Sequence, residues 1–358
     1  MKHARACRFK QEAEPLMQAS SPLKNYILMK KVRWGILSTA KIAREKVIPA
    51  MQAGQYCEIK AIASRNIEQA RTIANELSIE NAYGSYEELL DDPTIDAVYI
   101  PLPNHMHVPW TLKALKAGKH VLCEKPIALS ASEAYLLLEE CKQHPELRVM
   151  EAFMYRFHPQ WTFVKNLVDS GTIGSVGAIQ AFFSYYNDDP ENIRNKKEAG
   201  GGGLMDIGCY CISQSRYILG KEPIAAQGTI NYDPVMKTDT LASAILDFGT
   251  CKSAFTCSTQ LAPAQSFNIY GTKGLIKVEI PVNIPADQTT RICLEIDNKK
   301  EEILFEPENQ YTLQGDMFSK AILENDKVPT SLQDALNNMK VIEAIKTSDE
   351  KGEWTNII

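Results

Sequence analysis

The chain lacks a long apolar run, an excess of positive charge and a regular spacing of cysteines. Without a stretch of ~20 apolar residues, the sequence predicts no membrane span. The net charge is −5 at pH 7, so we expect no binding to nucleic acid or to an anionic membrane surface. The 9 cysteines are odd in number and irregularly spaced. This argues against a disulfide framework and favours a reducing cytoplasm.

Signals for targeting and for metal binding are also missing. Residues 1–30 are polar, contain Pro15 and Pro22 and lack the apolar core of a signal peptide. We predict a loosely ordered extension without chemistry there. The 6 histidines show no ligand spacing, and Cys209 and Cys211 point to different sides of a predicted helix, so we expect no metal site.

The first half of the chain has the pattern of a parallel sheet. At 358 residues, with 44% apolar and 23% charged residues, the protein is long enough for two ordinary globular domains. From Val32 to about Ala152, short apolar runs alternate with helical periods, which is typical of βαβ units. We therefore predict a doubly wound (Rossmann) domain at residues 31–152. Its predicted strands are Val32–Leu37, Glu58–Ala63, Ala97–Ile100, His120–Cys123 and Arg148–Ala152.

After Arg156 the pattern changes. Helical periods frame a series of strands with alternating polarity, which predicts an α+β domain built on a large, mostly antiparallel sheet over residues 153–330. Residues 331–358 are predicted to hold a C-terminal helix that packs back near the first domain. The predicted strands are Val176–Tyr185, Ala242–Phe248, Ser253–Thr259, Ser266–Tyr270, Leu275–Ile280, Arg291–Ile296 and Lys300–Phe305.

The turn after the first strand looks like a dinucleotide-binding turn without its glycines. In "VRWGILSTAKIA", Ser38, Ala40 and Ala43 occupy the positions of G-x-G-x-x-G. Alanine is small enough for backbone approach and helix packing, and the Ser38 hydroxyl can serve a phosphate oxygen. The sequence alone leaves open an ordinary strand–turn–helix joint. The predicted cofactor contacts here are Ser38, Thr39, Ala40, Lys41 and Ile42.

The end of the second strand bears on the choice of cofactor. NAD sites usually place an acidic residue there for the ribose hydroxyl, but this chain has Ser64 and Arg65. A hydroxyl and a guanidinium suit a 2′-phosphate. We therefore predict NADP rather than NAD. The alternative is that Ser64 caps the next helix and Arg65 is simply solvated.

Three further motifs are more specific in combination. They are "YIPLPNHMHVPWTLKALKAGKHVLCEKPIA", "MEAFMYRFHPQ" and "NIRNKKEAGGGGLMDIGCYCI". Together with "WGILSTAKIA", their order and spacing resemble the Gfo/Idh/MocA family of sugar oxidoreductases, from Val32 to the C-terminus. The nearest branch is the one that holds dimeric dihydrodiol dehydrogenase, NADP-linked D-xylose 1-dehydrogenase and glucose–fructose oxidoreductase.

The resemblance implies three residues that act on the substrate. Lys125 lies in the family's E-K-P motif, and Asp206 and Tyr210 lie where another branch has D-x-G-x-H. Tyr210 would move the proton, with the Lys125 cation lowering its pKa. Each residue also has an ordinary alternative: a solvated strand end for Lys125, a charge at a helix N-terminus for Asp206 and core packing for Tyr210.

The resemblance also implies cofactor contacts beyond the first turn. We expect residues after the fourth strand to line the path from adenosine to nicotinamide, with His107 capping its helix under the site. The implied contacts are Leu102, Pro103, Asn104, His107, Glu124, Lys125 and Arg194.

These observations predict an NADP-dependent oxidoreductase that transfers hydride between the nicotinamide and a sugar or related cyclic alcohol. The reaction would be oxidation of an aldose at C1 to a lactone, or oxidation of a trans-dihydrodiol. An NADPH-dependent ketosugar reductase and a non-catalytic NADP-binding regulatory protein remain alternatives. The resemblance implies a homodimer or higher homo-oligomer that associates through an open sheet face.

Overall fold

The computed structural model of the protein describes residues 30–357, and its first half forms a six-stranded sheet. The spatial order is 3-2-1-4-5-6, and every neighbouring pair is parallel. This is the doubly wound dinucleotide-binding topology, as predicted. The predicted extension lies outside the described residues apart from Lys30. The strands are β1 (Val32–Leu37), β2 (Cys57–Ala63), β3 (Asn81–Tyr83), β4 (Ala97–Ile100), β5 (His120–Cys123) and β6 (Val149–Glu151).

Short helices connect these strands. Ser85 and Ser130 cap two of them by accepting hydrogen bonds from the backbone N–H groups of Glu88 and Glu133, which are capping motifs readable from the sequence. The first helix begins with a π-helical turn, Ala43–Val47. The helices are α1 (Ile48–Gln52), α2 (Ile67–Glu76), α3 (Tyr86–Asp91), α4 (His107–Lys116) and α5 (Ala131–Cys141).

The second half forms a nine-stranded sheet in the order β14-β13-β12-β11-β7-β10-β9-β8-β15, where these labels denote the strands given at the end of this paragraph. Only β7 and β10 pair in parallel, so the prediction of a large, mostly antiparallel sheet is confirmed. The sequence pattern missed β15, because two residues are too few to show an alternation. The strands are β7 (Val176–Tyr186), β8 (Ala225–Tyr232), β9 (Asp239–Asp247), β10 (Lys252–Ser258), β11 (Gln260–Gly271), β12 (Gly274–Val278), β13 (Thr290–Ile296), β14 (Lys299–Phe305) and β15 (Thr355–Asn356).

The C-terminal helices connect the two sheets. The Trp34 indole of β1 donates a 3.1 Å hydrogen bond to Ser319 Oγ, so the helix that carries Ser319 packs on the parallel sheet although its sequence position falls in the predicted 153–330 domain. The last helix contacts β8, and its Glu343 accepts a 2.7 Å hydrogen bond from Ala131 N of α5. The helices of this half are α6 (Pro159–Asp169), α7 (Cys209–Leu219), α8 (Gln310–Leu323) and α9 (Leu332–Lys351).

Residues 30–357 show neither a membrane-spanning helix nor a cluster of metal ligands. None of the helices there combines the length and apolar character that crossing a bilayer requires. That part of the chain also contains no group of three His, Cys, Asp or Glu side chains arranged to hold a metal ion. Its cysteines are all free thiols: Cys57, Cys123, Cys141, Cys209, Cys211, Cys251, Cys257 and Cys293.

Candidate active site

A cavity of about 560 Å³ lies at the carboxyl ends of β1, β4 and β5. One wall comes from the segments that follow these parallel strands, which is where doubly wound sheets bind ligands. The opposite wall is the loop from β7 to α7 and the π-helical turn Leu204–Gly208 that precedes α7. The lining residues are Ala40, Lys41, Ile42, Glu45, Lys46, Pro101, Leu102, Asn104, His107, Glu124, Lys125, Asn192, Ile193, Arg194, Ala199, Gly200, Gly201 and Asp206.

The turn after β1 retains a glycine-like backbone at its first position. Ser38 has φ +153°, a conformation that L-residues rarely adopt. Its hydroxyl accepts a 3.0 Å hydrogen bond from Ala40 N, so it stabilises the turn instead of lining the cavity. This differs from the prediction that the Ser38 hydroxyl serves a phosphate. Ala40, Lys41 and Ile42 do line the cavity, whereas Thr39 does not.

Sequence reasoning missed Glu45 and Lys46, which also line the cavity. Both lie in the π-helical turn Ala43–Val47, and a π turn directs side chains differently from the regular helix that the periodicity predicts. The two lysines of this region, Lys41 and Lys46, place cationic groups at the cavity wall. The Lys41 ammonium lies 3.9 Å from a carboxylate oxygen of Glu45.

The end of β2 is arranged differently from the prediction. Ser64 is buried; its hydroxyl accepts a hydrogen bond from Asn66 N and donates one to Gln69 Oε1. This local pairing turns the hydroxyl inward, and neither Ser64 nor Arg65 lines the cavity. Asn66, and not Ser64, caps α2. Arg65 is exposed, and no acidic side chain occupies positions 64–66.

The segment after β4 forms the floor of the cavity. Asn104 donates a 2.8 Å hydrogen bond to Gly200 O across the cavity. The His107 ring is fully buried, with its nitrogens 2.7 Å from Pro126 O and 2.8 Å from Leu102 O. Burial lowers the pKa of His107 to about 4, and the two carbonyl contacts oppose that shift. The ring lies between the segment after β4 and the segment after β5. Pro103 precedes the turn but does not line the cavity.

Lys125 and Asp206 form a mostly buried ion pair at the inner end of the cavity. The Lys125 ammonium donates to Asp206 O at 2.8 Å and to Asp206 Oδ1 at 3.0 Å. Oδ2 of the same carboxylate accepts from the Tyr185 hydroxyl at 2.6 Å and from Arg194 Nε at 3.1 Å. Burial would raise the pKa of Asp206, but the Lys125 and Arg194 cations hold it well below its usual range. The Asp206 charge likewise outweighs burial and raises the pKa of Lys125.

Tyr185 is the member of this cluster that the sequence did not reveal. It lies near the end of β7, and its hydroxyl meets a carboxylate 21 positions further along the chain. No motif around Tyr185 indicates this contact, because it depends on the packing of the π-helical turn Leu204–Gly208 against β7.

Tyr210 lies close to Lys125, but not in the predicted arrangement. The Lys125 ammonium is 5.0 Å from the centre of the Tyr210 ring, and the Tyr210 hydroxyl donates to Met154 Sδ at 3.3 Å. The ring packs edge-on against Phe153. Burial, followed by the Glu124 charge, raises the pKa of Tyr210 well above its ordinary value. This net rise differs from the predicted lowering by Lys125, and Tyr210 does not line the cavity; its role in moving the proton stays a prediction.

Glu124 is a further charged residue of the cavity wall, next to Lys125. It lines the cavity and accepts a 2.6 Å hydrogen bond from the Tyr99 hydroxyl of β4. Burial raises the pKa of Glu124, and the neighbouring Lys125 cation opposes that shift. This part of the cavity thus combines the cationic side chains of Lys125 and Arg194 with carboxyl oxygens that can accept hydrogen bonds from hydroxyl groups.

Both halves of the chain match models of one protein family. Residues 32–153 match the Gfo/Idh/MocA model described as an oxidoreductase family with an NAD-binding Rossmann fold. Residues 161–277 match the model of the Gfo/Idh/MocA C-terminal domain. The residues that line the cavity come from both matched ranges.

Several proteins are similar over nearly the whole chain. An uncharacterized oxidoreductase of Rhizobium meliloti is 43% identical, over 92% of this chain and 100% of its own length. A D-xylose 1-dehydrogenase (NADP(+)) of Haloferax volcanii is 35% identical, over 89% of this chain and 98% of its own. Among solved structures, a 3-ketoreductase from Actinomadura kijaniata in complex with NADP and TDP-benzene has a TM-score of 0.84 and 28% identity, over 89% of this chain and 98% of its own.

Proposed function

The chain belongs to the Gfo/Idh/MocA oxidoreductase family, and we propose that it is an NADP-dependent enzyme that transfers hydride to or from a sugar or related cyclic alcohol. One observation carries this proposal. The Lys125 ammonium lies at the carboxyl end of β5 in the cavity wall, with Asp206 occupying two of its three N–H donors. The third donor is available for a substrate oxygen.

The residues of the cavity suit a dinucleotide. The N-terminal turn of the helix after β1 supplies backbone N–H groups for a pyrophosphate, and Lys41, Lys46 and Arg194 add positive charge around it. Glu124 offers oxygens that accept hydrogen bonds from ribose hydroxyls. When bound, the nicotinamide supplies or accepts the hydride; the protein supplies binding, orientation and an electrostatic field.

The choice of NADP over NAD rests on the end of β2 and on the relatives. Arg65 follows β2 and is exposed, and positions 64–66 hold no acidic residue that would repel a 2′-phosphate. The Haloferax volcanii relative is named for NADP, and the Actinomadura kijaniata structure holds NADP. Ser64, with its hydroxyl turned inward, is not part of this proposal.

In the proposed reaction, Lys125 acts on the oxygen of the reacting carbon. Its raised pKa keeps it an ammonium near neutral pH, so during reduction it donates a proton to that oxygen and is left as a neutral amine. During oxidation the neutral amine takes the proton of the substrate hydroxyl, and the resulting ammonium stabilises the charge that develops on the oxygen. Tyr210 is proposed as a hydrogen-bond donor and not as a base, because its pKa is raised. Its present acceptor, the Met154 thioether, is a weak one, so the hydroxyl keeps most of its capacity to donate to a stronger acceptor.

A ketosugar reductase is the second candidate. Lys125 and Tyr210 both hold their protons near neutral pH, and two protonated groups favour delivery of a proton to a carbonyl oxygen. The similar Actinomadura kijaniata structure is a ketoreductase. The direction of the reaction therefore has to be measured both ways.

The test is absorbance of NADPH with D-xylose, D-glucose, dihydrodiols and ketosugars, in both directions and with NAD as the competing cofactor. We expect turnover with NADP, and we expect Lys125→Met to lower kcat by roughly 10²- to 10³-fold, as removal of a charge-stabilising donor does. Lys116→Met removes an exposed lysine of α4 and should leave kcat unchanged. Tight NADPH binding without turnover of any of these compounds would refute the enzyme and support a regulatory protein.

We also propose that the enzyme works as a homodimer or higher homo-oligomer through the open face of the nine-stranded sheet. A shallow groove of about 500 Å³ crosses that face, and Gln180, Phe182 and Ile245 are among its lining residues. The opposite face is covered by α7.

The cysteines of residues 30–357 are all free thiols, which supports a reducing compartment for this protein.

A further inference from the structure

We infer that Tyr185 is a positioning residue that holds Asp206, and through it Lys125, in the geometry that the proposed reaction needs. This inference rests on the proposed function. Asp206 is the hub of the site: one carboxylate oxygen accepts from Lys125, and the other accepts from Tyr185 and Arg194. The contact with Tyr185, at 2.6 Å, is the shortest of the three, as expected for a hydroxyl that donates to a carboxylate.

The two donors to Asp206 Oδ2 differ in how firmly they are held. Tyr185 has no pairing partner itself, but it belongs to β7, which pairs with both β10 and β11 at the preceding residue, Ser184. Arg194 lies in a short 3-10 turn of the loop above the cavity, and its side chain is 44% exposed. Groups on central strands hold their positions better than groups on loops. A bound dinucleotide would also compete for the Arg194 guanidinium, whereas Tyr185 would remain on Asp206.

The sheet contains a specific distortion at Tyr185. Ser184 of β7 pairs with Ala264 of β11, and Tyr186 pairs with Gln260, so four steps along β11 span two steps along β7. Ser184 Oγ secures this bulge through a 2.6 Å hydrogen bond to Ala262 O. Bulges beside functional sites redirect side chains, and this one lies directly opposite the residue whose hydroxyl reaches Asp206.

The Tyr185 hydroxyl acts as a hydrogen-bond donor to Asp206 and stays protonated. Burial and the Asp206 charge raise the pKa of Tyr185, so it does not become a phenolate that would repel the carboxylate. Asp206 in turn accepts two hydrogen bonds from the Lys125 ammonium, one at its backbone oxygen and one at Oδ1. Loss of the Tyr185 hydroxyl would leave Oδ2 with the loop residue Arg194, and the carboxylate would be free to turn away from Lys125.

The experiment compares Tyr185→Phe with Tyr186→Phe in the full chain. Tyr186 is the matched control, because it is the adjacent residue, is 61% exposed and directs its hydroxyl to Asp188. For Tyr185→Phe we expect kcat to fall roughly 10- to 100-fold, the scale of a lost hydrogen bond to a charged group, with little change in KM. The basic limb of the pH profile in the reductive direction should move to lower pH, because Lys125 loses part of the charge that raises its pKa. Tyr186→Phe should change neither.

A second readout does not depend on turnover. Acetic anhydride acetylates neutral amines, and mass spectrometry of peptides gives the rate at Lys125. We expect this rate to rise severalfold in Tyr185→Phe and to stay at the wild-type value in Tyr186→Phe. If the wild type turns over none of the tested compounds, the proposed function fails and the labelling rate alone decides the inference. An unchanged labelling rate overturns it, as does a loss of kcat that comes with a lower melting temperature and an unchanged pH profile.

Discussion

At the scale of single residues, Glu151 is the buried acid with the clearest effect on stability. It lies on β6 and is 1% exposed, and its Oε1 accepts a 2.7 Å hydrogen bond from Ile127 N, two residues beyond Lys125. Its Oε2 has no hydrogen-bond partner within residues 30–357. Burial raises the pKa of Glu151 to about 7. Ionisation of Glu151 at this buried position therefore costs free energy, which the hydrogen bond from Ile127 N offsets only in part.

This predicts a dependence of stability on pH. The folded protein keeps the Glu151 proton up to about pH 7, whereas the unfolded chain loses it near its ordinary pKa. The contribution is thus present at low pH and disappears as pH rises through the interval between the two values, a change of ~3 kcal/mol. Urea unfolding at pH 5 and pH 8 should show wild type losing that much relative to Glu151→Gln, which cannot ionise. Parallel pH curves for the two proteins would contradict the prediction.

At the scale of elements, the loop between β7 and α7 forms the wall that the cavity shares with the second sheet. Gly202 connects its two parts: its N–H donates to Arg194 O at 2.8 Å, and two residues later Leu204 begins the π-helical turn that carries Asp206. Asp239 of β9 accepts a hydrogen bond from Leu204 N. Gly202 has φ +117°, and a Cβ there would overlap Asp239 Oδ1. The position of Asp206 therefore depends on a residue without a side chain at 202.

Gly202→Ala should accordingly destabilise the protein and weaken NADPH binding. Gly249→Ala is the matched control, because Gly249 also has a positive φ, +78°, but open space around it. We expect about 1 kcal/mol of backbone strain in the control and at least ~2 kcal/mol in Gly202→Ala, where a steric overlap is added. Urea unfolding and NADPH fluorescence titration measure the two effects. Equal losses in both variants would show that the overlap relaxes without cost.

At the scale of the whole molecule, the site exists only where the two sheets meet. Lys125 follows β5 of the parallel sheet, whereas Asp206 and Tyr185 come from the half that holds the nine-stranded sheet. The side chains of Ile179 and Phe183 are buried on the face of β7 that α7 covers, while Gln180 and Phe182 line the groove on the opposite face. One face of this sheet thus serves the site, and the other is free for association.

A single substitution that introduces a charge on the open sheet face tests the proposed association. Ile245 is an apolar residue of the groove and is 41% exposed. Ile245→Lys should convert the oligomer to a monomer in light scattering after size exclusion, because a buried unpaired charge opposes an apolar interface. Leu304→Lys, at a 64% exposed position on the edge strand β14, should leave the mass unchanged. A wild-type protein that elutes as a monomer would refute the proposal.

The sequence by itself determined the class of fold and the segments that border the cavity. Apolar alternation and helical period are local properties, and they placed β1, β4 and β5 at the bounds found in the structure. Lys125, Asn104 and Arg194 were predicted from motifs, and they do line the cavity. Their roles stay predictions.

Only the tertiary structure decided how the polar groups of the site are partnered. The sequence placed Tyr210 beside Lys125, but burial raises its pKa and its hydroxyl faces Met154. The sequence also predicted Ser64 as a cofactor contact, whereas a local hydrogen bond from Asn66 N turns the Ser64 hydroxyl inward. Tyr185 reaches Asp206 because the π-helical turn Leu204–Gly208 packs against β7. Solvation and hydrogen bonding of a side chain depend on neighbours brought in from elsewhere in the chain, and no local pattern encodes those neighbours.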